Sequence, residues 1–61
     1  MAIETAKREL LDAMANEARH AAIAATLIGR EDLCGAQARA VARYEAAMAR
    51  TRRAAAVLEA L

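Results

Sequence analysis

Sixty-one residues with a net charge of +1 amount to one domain at most. A single cysteine excludes a disulfide framework, and one histidine beside it argues against a structural metal site. Twenty alanines inflate the hydrophobic content to 59%, proline is absent and Tyr44 is the one aromatic, so an all-α chain with a thin core is expected.

The first helix is predicted over about residues 2–28. Lys7, Leu11, Met14, Ala18, Ala21, Ala25 and Ile28 recur in steps of four and three, which is a stripe made to lie against another helix. Its second half is alanine, which lets two backbones approach closely. Ile23 and Leu27 fall on the otherwise polar side of the wheel, so the segment from Ala21 to Ile28 is apolar nearly all round. A helix of that kind is covered on more than one face. One other helix cannot do this, so a second chain or another protein is expected there.

Gly29 has the position of the left-handed glycine that closes a helix end. Residues 29–32 are expected to form the turn, with Asp32 as N-cap of the next helix. That second helix is predicted over about residues 33–60, with Gly35 inside its first turn. Its seam is Gln37, Val41, Tyr44, Met48, Thr51, Ala55 and Leu58, preceded in phase by Cys34. Gln37 and Thr51 are polar seam positions of the sort that fix register. Continuing the first stripe past Ile28 leads to positions 32, 35 and 39 rather than 34, 37 and 41. A continuous coiled coil keeps its phase, so an antiparallel two-helix hairpin is expected instead of one long rod. It would be coiled-coil-like and would complete a helical bundle by oligomerising.

Charge is divided unevenly. Residues 1–35 sum to −2 and residues 36–61 to +3. Two oppositely charged halves attract each other when folded back. The basic half also aligns Arg39, Arg43, Arg50 and Arg53 in one stripe facing away from the Val41–Tyr44–Met48 seam, an arrangement able to meet phosphates. His20 reads as a surface or interface residue.

No phosphate-binding loop, catalytic carboxylate pair or nucleophile with a partner stands in the sequence. No catalytic, cofactor or metal residues are therefore assigned, and an enzyme is not expected. No secretion signal is visible, and the longest uncharged run, Ala21–Gly29, falls far short of the ~20 residues that span a bilayer. The cytoplasm or the interior of an assembly such as a virion is the expected setting.

Below about 70–80 residues, one core rarely suffices without a staple, and self-association is the staple left over. The functional expectation is a non-enzymatic interaction module: a homo-oligomer or a small subunit of a larger assembly, phage or bacterial. Its interface would use Leu11, Met14, Ala18, Ala21, Ile23, Leu27, Ile28, Val41, Tyr44, Met48 and Leu58. Competing expectations are a dimer binding RNA or DNA through the arginine stripe, and a small inhibitor docking on a protein target.

Overall fold

The computed structural model describes residues 2–30 and 35–61. Two helices of equal length, α1 (Ile3–Leu27) and α2 (Ala36–Ala60), make up the described chain. Strong helix formers fill both, and Glu4 lies in the first turn of α1, where a carboxylate favours the positive helix end. Glu9 meets Arg50 and Leu27 meets Gln37, so one index falls as the other rises and the pair is antiparallel. The hairpin is a narrow rod, 45 × 13 × 13 Å, with a single helix-on-helix layer.

Gly29 closes α1 as its position predicts. Ile28 is the extended C-cap, its N–H bonded to the Ala24 carbonyl, and Gly29 follows at φ 84°. Gly35 departs from expectation. It is the N-cap of α2 at φ 71°, a left-handed conformation that favours glycine, so α2 starts after it rather than around it. Asp32 and Cys34 lie outside the described residues.

The core is made of alanine. Ala6, Ala13 and Ala24 of α1 and Ala40, Ala47 and Ala54 of α2 are buried, and no large side chain is fully buried among the described residues. In α1 the half-buried Leu10, Glu17, His20 and Leu27 fill the intervals, giving a seam at 6, 10, 13, 17, 20, 24 and 27. This is the expected four-three rhythm displaced by one residue, a rotation of about 100°. His20 is thereby half-buried in the seam.

In α2 one column of the seam moves and the other stays. Ala40, Ala47 and Ala54 are the buried column in place of Val41, which is exposed, and of Met48 and Ala55, which are half-buried, while Gln37, Tyr44, Thr51 and Leu58 remain half-buried at the contact. The reason is steric. Two helices joined into a hairpin pack most closely where side chains are smallest, and alanine every seventh residue gives that column. Thr51 answers its own polarity, since its hydroxyl donates to the Ala47 carbonyl at 3.1 Å. It therefore carries no bond across the seam, whereas Gln37 does.

Candidate protein-interaction surface

Alanine inside leaves the larger apolar residues outside. Of thirteen described residues that are Ile, Leu, Met, Val or Tyr, eight are exposed: Ile3, Leu11, Met14, Ile23, Ile28, Val41, Val57 and Leu61. Leu11 is 66% exposed and Ile28 71%, although both were expected in the seam. Met14, Ala18, Ala25 and Val41 are displaced outward with them, because the seam turned by one residue.

These residues are not scattered. A shallow groove of about 390 Å³ runs between the helices along one side of the alanine seam. Ala21, Ala24, Ala25 and the C-cap Ile28 line it on one side, and Val41, Tyr44, Glu45 and Met48 of α2 on the other. Met14 and Ala21 precede Ile28 at sevenfold spacing, and Leu11 and Ala18 precede Ala25 likewise, so the same face continues along α1. Leu11, Met14, Ala18, Ala21, Ile28, Val41, Tyr44 and Met48 thus share one side of the hairpin, Tyr44 being also at the seam. Leu27 and Leu58 belong to the hairpin's own seam, and Ile23 lies on the opposite edge, in phase with Asn16 and Glu9.

That opposite edge is polar. Arg50 donates from Nε at 3.0 Å and from Nη2 at 2.9 Å to Glu9 Oε1, linking the helices. Arg43 and Val57 flank Arg50 at sevenfold spacing, and Arg53 and Val57 line a second groove with Glu9. The structure thus brings the arginine stripe to this side and ties part of it down. Arg50 answers Glu9, and Arg39 is also engaged within the chain. Glu9 reaches Arg50 from the other helix, 41 positions away in sequence, as the opposite charges of the two halves allow.

A hydrogen-bonded junction sits at the turn end. The Gln37 side-chain amide donates to the Leu27 carbonyl at the end of α1, which also accepts from the Arg30 N–H, and to the Arg30 carbonyl in the turn beyond it. Among the described residues no three of His, Cys, Asp and Glu gather as a metal site, and no helix is long and apolar enough to cross a membrane. Comparisons with protein-family models, with curated protein sequences and with solved structures returned no match.

Proposed function

We propose that this chain is a non-enzymatic interaction module, a helical hairpin that self-associates or packs into a larger protein assembly through its outward apolar face. The observation that carries this reading is the inversion of size across the seam: alanine between the helices, and Leu11, Met14, Ile28 and Val41 turned outward on one side. A folded monomer seldom leaves a contiguous apolar face of this kind uncovered. Burying such side chains is worth ~1.5–3 kcal/mol each, far more than an alanine methyl supplies. Completing a helical bundle is the arrangement that covers the face.

The test compares wild-type protein with Met14→Glu by sedimentation and circular dichroism. The expected result is an assembled wild type and a less associated variant that keeps its helix-forming sequence otherwise intact. Equal association of the two would remove this face from the interface. Ile23→Glu, on the opposite edge, is the control and leaves association unchanged.

A further inference from the structure

The face has features that select its occupant, and the inference that follows rests on the interaction reading above. The first feature is area. The hairpin exposes 4472 Å². A compact protein of 6.5 kDa exposes roughly 3800 Å². The excess of roughly 650 Å² approaches the ~800 Å² that each partner of a standard protein interface buries.

The second feature is where the apolar residues stop. On α1 the face is apolar from Leu11 to Ile28, and on α2 from Ala38 to Met48, broken by Glu45. Because the helices are antiparallel, these stretches lie side by side toward the turn. Glu4, Lys7, Arg52 and Glu59 occupy the same face toward the open end. A matching partner is apolar toward one end and mixed in charge toward the other, as this chain is.

The third feature is the symmetry open to two such rods. Two hairpins can meet face to face about a twofold axis in two ways. With the axis across the rod, each helix lies on its own copy, the turns are at opposite ends, and each apolar stretch meets the charged end of the other copy. With the axis along the rod, α1 lies on α2 in both halves and the turns are together. The second way keeps the apolar stretches level without sliding the rods apart.

We infer that the occupant of the apolar face is a second copy of this chain, in a twofold dimer that packs α1 of each copy against α2 of the other with both turns at the same end. The exposed positions Ala60 and Ala2 report on it, since both lie at the open end and neither lines the apolar groove. Each is changed to cysteine in turn (Ala60→Cys, Ala2→Cys) in a Cys34→Ser background and spin-labelled. The mass is measured by sedimentation and the label separation by pulsed dipolar spectroscopy. The expected result is a dimer with both separations at two to three helix spacings, ~20–30 Å. A dimer with separations at or beyond the 45 Å length of the rod overturns this arrangement and leaves self-association standing. A monomer overturns both, and so points to a different protein as partner; any larger oligomer overturns the dimer.

Discussion

The Gln37 amide reaches back across the turn and donates to the Leu27 carbonyl, tying the first turn of α2 to the last turn of α1. A second bond to the Arg30 carbonyl uses the other amide hydrogen. One side chain bridges the end of α1 and the turn that follows it, and the register of the hairpin is set at its closed end.

Gln37→Ala is expected to lower stability by about 1 kcal/mol, because a net hydrogen bond of this kind is worth ~0.5–1.5 kcal/mol and one of the two is exposed. Gln37→Glu is expected to cost more than the alanine change. A carboxylate cannot donate, and its oxygens would face the Leu27 and Arg30 carbonyl oxygens, which outweighs its favourable place in the first turn of α2. Thermal midpoints at one fixed protein concentration check the order; a glutamate variant as stable as wild type would contradict it.

The alanine column makes a sharper demand. Ala47→Leu inserts a branched side chain at a buried position of the seam, and overpacking of that kind costs ~1–3 kcal/mol. Ala46→Leu, next in sequence but exposed, should stay within about 0.5 kcal/mol of wild type. If both leucines are tolerated equally, the buried column lies elsewhere.

The Arg50–Glu9 pair contributes little to stability. Its side chains are 37% and 43% exposed, and pairs open to solvent are worth ~0–1 kcal/mol. Arg50→Ala is therefore expected to cost under about 1 kcal/mol, with the difference shrinking as salt is added. Exchanging the two residues, Glu9→Arg with Arg50→Glu, should recover most of it. A large loss that salt does not touch would show that packing of the arginine stem, not the ion pair, holds that end.

Much of the fold was legible because helix formers, a stop glycine and a phase slip are local signals. Gly29 and the half-seam of Gln37, Tyr44, Thr51 and Leu58 were each readable that way. The inner alanine column was not. Bulk hydrophobicity drew the expected seam to Leu11, Met14 and Val41, yet bulk keeps helices apart, and the residues allowing closest approach were among twenty look-alike alanines. The Arg50–Glu9 contact escaped for a different reason, since it joins residues 41 positions apart. Once the hairpin register is known, the opposite charges of the two halves make such a contact natural.

The arginine side yields a negative expectation. With Arg50 held by Glu9 and Arg39 engaged, generic duplex RNA or DNA should bind without a steep salt slope. Binding measured across a salt series checks this. A steep slope, abolished in an Arg39→Ala, Arg43→Ala double variant, would instead establish a nucleic-acid surface opposite the apolar face.

The central claim is that an alanine seam cannot hold this rod together unaided and that a neighbour on the Leu11–Met14–Ile28–Val41 face completes it. The most direct measurement is the thermal unfolding midpoint followed by circular dichroism over a hundredfold range of protein concentration. Folding coupled to association makes the midpoint rise with concentration. A cooperative, high-temperature transition whose midpoint does not move, from a sample that sediments as a monomer throughout, would contradict the claim.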